Sequence, residues 1–143
     1  PVLVHLSPDD GPICSSVSAA VCQLLGECFP EQGAPESIDE ALGFYSPDCC
    51  HWLLLLARGA AADLARLGPG RLLGCACCAL LGPAVFVHAL AVRPSWQGRG
   101  LGTQLMVASQ RLAVRSGALR VEGAVDVAGH SAERLRSYYL RLG

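Results

Sequence analysis

Lysine is missing from this 143-residue sequence, in which all eleven basic residues are arginine. That excludes any mechanism built on a lysine amine. Charge is scarce as well, at 16% of residues with a formal net charge of −1, and no basic cluster stands out. No nucleic-acid partner is therefore expected. Between Leu72 and Val92 there is no Asp, Glu, Lys or Arg at all. Such a run is long enough to span a bilayer. Gly82-Pro83 breaks it centrally, however, Gly74 weakens it, and His88 would lie in hydrocarbon. Two buried strands joined by a Gly-Pro turn explain it better, so no membrane partner is expected. With no internal repeat and no low-complexity linker, residues 1–143 read as one domain.

Cysteine, in contrast, is plentiful, with eight at positions 14, 22, 28, 49, 50, 75, 77 and 78. They lie in apolar segments and no signal-like segment opens the sequence, which points to reduced, buried thiols in a cytoplasmic protein. Cys75-x-x-Cys78 has metal-ligand spacing, and Cys49-Cys50-His51 offers further donors. But Leu72–Leu81 reads as a strand, where positions 75 and 78 face opposite sides. No metal is expected.

Periodicity and turn residues divide the chain as follows. Val2–Leu6 reads as a strand. Ser15–Cys28 reads as a helix with Val17, Val21, Leu24 and Leu25 on one face. Ser37-Ile38-Asp39-Glu40 opens a short second helix ending near Phe44. Trp52–Ala57 is a strand, and an Ala/Gly-rich connection over 59–70 leads to strands at 71–81 and 84–92. A long helix over 100–116 ends at Gly117. Leu119–Val127 reads as a strand and Ser131–Leu142 as a last helix, with Leu135, Tyr138, Tyr139 and Leu142 on one side.

The most informative stretch is Val87 to Thr103. An apolar strand runs into Gln97-Gly98-Arg99-Gly100-Leu101-Gly102-Thr103, and Leu101, Leu105, Ala108 and Leu112 then follow at helical spacing. A glycine-rich entry to a helix exposes amide N–H groups beside the positive end of the helix dipole, which suits phosphate. Glycine at 98, 100 and 102 lets an anion approach the backbone, and Arg99 adds a guanidinium that can pair with it.

This stretch resembles the acyl-CoA signature of the GNAT acyltransferase superfamily: Gln or Arg, two residues, Gly, one residue, then Gly or Ala, directly after a hydrophobic strand. The resemblance covers essentially the whole chain and implies an α/β (α+β) GNAT fold, a mixed, mostly antiparallel sheet flanked by helices. Family members continue past the last helix into two further strands, whereas this sequence stops at Gly143, leaving a sheet edge open on that reading.

The resemblance also implies chemistry: direct transfer of acetyl from acetyl-CoA to an acceptor amine. Backbone N–H groups of Gln97, Gly98, Arg99, Gly100, Leu101, Gly102 and Thr103 would hold the pyrophosphate. The backbone of Leu90, Ala91 and Val92 would pair with the pantetheine arm and polarise the thioester carbonyl. Phe86-Val87-His88-Ala89-Leu90-Ala91-Val92 is similar to the arylalkylamine (serotonin) N-acetyltransferase branch, whose strand carries two His; here the first position is Phe86. His88 is thus the candidate general base, with strand alternation putting 86, 88, 90 and 92 on one face. Tyr138-Tyr139-Leu140-Arg141-Leu142-Gly143 resembles the family's element that carries the general acid, which would be Tyr139. A frequent family Asn falls at Ala132.

Glu122 and Asp126 share a face and read as solvated carboxylates before proton acceptors. Glu31, Glu36, Asp39 and Glu40 would attract a cationic amine, and Phe29, Phe44 and Tyr45 would pack an aryl group. The expected function is an N-acetyltransferase acting on a small primary amine. Its rivals are a protein or peptide N-terminal acetyltransferase and a non-catalytic CoA-binding module. A homodimer is compatible with the resemblance, since family members often dimerise.

Overall fold

The computed structural model describes residues 1–125 and 136–141. Six strands form one sheet in sequence order: β1 (Val2–Leu6), β2 (Cys50–Leu56), β3 (Leu72–Leu81), β4 (Ala84–Val92), β5 (Arg120–Val125) and β6 (Arg136–Arg141). Every neighbouring pair is antiparallel except β4 with β5, which is parallel. A parallel pair needs a crossover. Here α3 (Leu101–Arg115) supplies it, packing on one face of the sheet, while α1 (Ser15–Cys28) and the short α2 (Ile38–Leu42) cover the other.

The two faces are legible in β2. Trp52, Leu54 and Leu56 join the α1 cluster, whereas Leu53 and Leu55 join the α3 cluster. A strand buried on both sides must be apolar at both parities, and the Leu-rich run is the result. On α3, Leu101, Leu105, Ala108 and Leu112 are all buried, as their spacing requires. The uncharged run Leu72–Val92 folds as the β3–β4 hairpin, turning at Gly82 with φ +68°. Among the described residues no helix is long and apolar enough to cross a membrane. Three short 3-10 turns occupy the Ala/Gly-rich connection, at Ala60–Ala62, Leu64–Arg66 and Pro69–Arg71.

One element is of a different type from the sequence expectation. The helix expected over 131–142 is a strand over Arg136–Arg141, paired antiparallel with β5 from Arg120↔Arg141 to Val125↔Arg136. The helical spacing of its apolar residues was real, but β5 presents a row of backbone groups on its outer edge. Pairing with it satisfies them, and tyrosines suit a strand as well as a helix. The sheet edge expected to lie open beyond β5 is covered by β6. Asp126 and Ala132 lie outside the described residues.

Candidate functional site

The site begins with an irregularity in β4. Ala89 has φ +53°, the one non-glycine residue among those described with positive φ, and the β3–β4 register shifts between Cys75 and Cys77. An extra residue in one strand is a β-bulge, and it reverses side-chain parity beyond it. The expected common face for 86, 88, 90 and 92 is therefore corrected. Phe86 packs on the α1 side, and His88 sits opposite Cys77 on that same side. Leu90 and Val92 pack on the α3 side. Simple alternation fails because the bulge adds one residue.

Before the bulge, β4 pairs with β5: among the described residues the parallel pairing runs from Ala84↔Arg120 to Val87↔Gly123. The backbone of Leu90, Ala91 and Val92 lies beyond that described pairing. Two side chains pin the end of the strand: Gln97 Nε2 and Cys28 Sγ donate to the Val92 carbonyl at 3.0 and 3.2 Å. Burial pushes the Cys28 thiol up to about 11, so it stays protonated and a donor.

From there the chain turns through Pro94–Trp96 into the glycine loop. Gly98 and Gly100 have φ +78° and +81°, and a Cβ at either would meet nothing within 4 Å. Gly100 is the N-cap of α3 and offers no side chain to its amides. The N–H groups that open the helix are left for an incoming acceptor. The Arg99 guanidinium lies 4.7 Å from the Trp96 ring centroid, held at the loop by a cation–π contact. An open cradle, a helix N-terminus without a capping side chain and an adjacent cation together suit an anionic group such as a phosphate.

His88 lines a cleft of about 340 Å³, together with Leu25, Phe29, Gln32, Glu40 and Ala89 among others. Tyr45 stacks on it with ring centroids 4.8 Å apart, and packs against Phe86 at 5.7 Å. Its Nε2 is buried and has no hydrogen-bond partner among the described residues. Burial lowers its pKa below the ordinary 6.5, which leaves the imidazole neutral, with a lone pair, at pH 7. Next to it the Cys77 thiol lowers the pKa of the Cys50 thiol.

The remaining sequence candidates divide. Phe29 and Glu40 reach the cleft and Tyr45 stacks on His88, but Phe44 is fully exposed. The Glu40 carboxylate also accepts from the Glu36 amide, just before its own helix, at 2.8 Å. Glu122 is engaged by Arg120, Oε1 to Nε at 2.6 Å. The backbone of Tyr139 lies on β6 opposite Glu122, which is itself opposite Phe86 on β4. Cys75 packs into the α1 cluster and Cys78 into the α3 cluster, on opposite faces as their strand spacing requires.

Sequence reasoning missed Arg93. It hydrogen-bonds the Leu72 carbonyl through Nε and Nη2 at 3.0 and 2.9 Å, and the Pro69 carbonyl at 2.8 Å. It also pairs with Glu27. The one signal was position: an arginine directly after a buried strand and directly before Pro94.

The profile described as the acetyltransferase (GNAT) family matches residues 18–143. Solved structures share the fold at low identity. An aminoglycoside 6'-N-acetyltransferase complexed with coenzyme A superposes with TM-score 0.65 at 14% identity, covering 91% of this chain and 64% of that one. An acyl-CoA N-acyltransferase from Pseudomonas aeruginosa gives 0.61 at 20%, covering 87% and 78%. The aminoglycoside 6'-N-acetyltransferase from Enterococcus faecium gives 0.64 at 14%, covering 87% and 61%. The chain thus spans less than two thirds of the length of both aminoglycoside enzymes. A search of curated proteins by sequence finds no match.

Proposed function

Since the chain belongs to the acetyltransferase (GNAT) family, we propose that it is an N-acetyltransferase moving acetyl from acetyl-CoA directly to the amine of a small molecule, an arylalkylamine by preference. The observation that carries this reading is the glycine loop that opens α3 directly after β4, the strand on which His88 sits. Bound there, acetyl-CoA supplies an activated thioester.

The chain's own residues divide the remaining work. Amides of Gln97 to Thr103 hold the diphosphate, with the Arg99 guanidinium beside them. The backbone of Leu90, Ala91 and Val92 aligns the pantetheine arm. His88, kept neutral by burial, takes the proton from the acceptor ammonium at its ring nitrogen. Tyr139 stands as the proton donor to the leaving thiolate; its place in the row Phe86, Glu122, Tyr139 supports that role.

Acceptor preference rests on the cleft. Phe29 and Tyr45 present aromatic surface near His88, and the Glu40 carboxylate attracts a cation. A cleft of about 340 Å³ is of a size to take a small amine. The similar aminoglycoside enzymes act on amines, so aminoglycosides belong in any acceptor panel.

Acetyl transfer read by mass spectrometry across arylalkylamines, polyamines, aminoglycosides and short peptides is the test. His88→Gln and Tyr139→Phe are each expected to lower kcat about 10²-fold or more. CoA binding without acetylation of any acceptor would replace the enzyme with a CoA-binding module.

A further inference from the structure

Beneath the cleft, His88 meets two cysteine thiols that acetyl transfer does not explain. Ligand atoms of Cys50, Cys77 and His88 all lie within 4.8 Å of one another. The sheet brings them together. Cys77 sits opposite His88 across β3–β4, and Cys50 lies two residues along β2 from Trp52, the residue opposite Cys77 on its other side. Cys50 and Cys77 are 5% and 0% exposed. His88 Nε2 is buried without a partner among the described residues. A buried ring nitrogen left unpaired costs free energy, and its presence calls for an occupant.

We propose that Cys50, Cys77 and His88 form a binding site for a zinc-like dication, and that filling it silences acetyl transfer. Two thiols and one imidazole are the donor set that zinc prefers over harder ions. In a tetrahedral site two sulfurs at normal zinc distance stand about 3.8 Å apart, so the cluster needs only a small contraction. The charge balances too. Each thiol releases its proton to solvent as its Zn–S bond forms, and two thiolates cancel the dication. The neutral imidazole completes a buried centre without net charge, which avoids the cost of desolvating an ion. Three protein ligands leave a fourth position, which the cleft can fill with water.

Silencing follows because the metal takes the lone pair of the ring that serves as base. That consequence rests on the proposed role of His88, whereas the binding site itself does not. Zinc occupancy would thus couple transfer activity to the free-zinc level of the surroundings.

The experiment uses cobalt as a spectroscopic probe of the reduced, full chain without acetyl-CoA or amine. One cobalt per chain is expected, with a thiolate-to-cobalt charge-transfer band and the intense d–d bands of a tetrahedral ion, both abolished by added zinc. Cys50→Ser and His88→Ala should each weaken cobalt binding at least tenfold, and Cys14→Ser, at an exposed position, should leave it unchanged. Absence of the charge-transfer band, or equal binding by wild type and Cys50→Ser, overturns the site. In the acetylation assay zinc should suppress turnover and a chelator restore it. Full turnover with the site spectroscopically filled overturns the silencing. A chain that binds cobalt as expected yet acetylates nothing counts against the proposed enzyme and leaves the metal site standing.

Discussion

Arg93 and Glu27 meet at 2.7 Å, Nη1 to Oε2, and so join the end of β4 to the last turn of α1. The same guanidinium holds the carbonyls of Leu72 and Pro69 at the entry to β3. Its side chain is 13% exposed; the bonds to Leu72 are part-buried, whereas those to Glu27 and Pro69 face solvent. Arg93→Ala leaves several acceptors unpaired and should lower stability by about 2–4 kcal/mol. Urea denaturation measures it. Arg93→Lys should recover only part, because a single ammonium cannot reproduce the planar fork. An alanine variant as stable as wild type would mean that water replaces the clamp without loss.

Gly100 caps α3 with φ +81° and ψ 8°, a left-handed conformation. Alanine there costs about 1–2 kcal/mol of backbone strain, and its Cβ enters the cradle assigned to the diphosphate. Gly100→Ala should raise the Kd for CoA at least tenfold by calorimetry, with the thermal midpoint falling by only a few degrees. An unchanged Kd would remove the loop from cofactor binding.

Gly26 lies where the loop after α1 folds back onto the helix. A Cβ there would stand 2.6 Å from the Ala34 Cβ and 3.1 Å from its Cα. Gly26→Ala should destabilise by about 1–3 kcal/mol, the usual cost of overpacking. Adding Ala34→Gly removes the nearest atom and should restore part of the loss. Since Phe29, Gln32 and Gly33 of this loop line the cleft, the single variant should also raise KM for the amine.

His5 Nε2 and His51 Nδ1 share a hydrogen bond of 2.8 Å, one ring donating and the other accepting. Burial lowers both pKa values from the ordinary 6.5, with Arg115 adding to the effect at His5 and the His5 ring adding to it at His51. The unfolded chain therefore takes up protons first as pH falls. Above pH 6.5 neither state is protonated and the pair makes no pH-dependent contribution. Below it, stability should decline progressively until the lowered folded values are passed. Urea midpoints measured on either side of pH 6.5 check this. His51→Gln should flatten that part of the profile, and an unaltered profile would show that other groups set it.

The boundaries of α1, β4 and α3 were legible because local signals agree there: apolar spacing, glycine punctuation and buried runs. The bulge at Ala89 was not. Nothing in Val87-His88-Ala89-Leu90 demands a positive φ, and the register shift becomes visible only once β3 pairs with β4. The same holds for the triad Cys50, Cys77 and His88. The sequence shows cysteines and a histidine scattered over two segments, and strand register alone brings them within reach of one ion.

Residues 136–141 carry the same lesson. Tyr138, Tyr139 and Leu142 are spaced as on a helix, but secondary structure there is decided by the free edge of β5, a partner absent from any local window. By itself the sequence determined the family, the glycine cradle and the two-faced apolar strands, because each depends on neighbours a few residues apart. Tertiary structure decided which face His88 takes and what Arg93 holds. Those outcomes rest on hydrogen-bond pairing between segments distant in the chain, where one extra residue in one strand reverses every side chain beyond it.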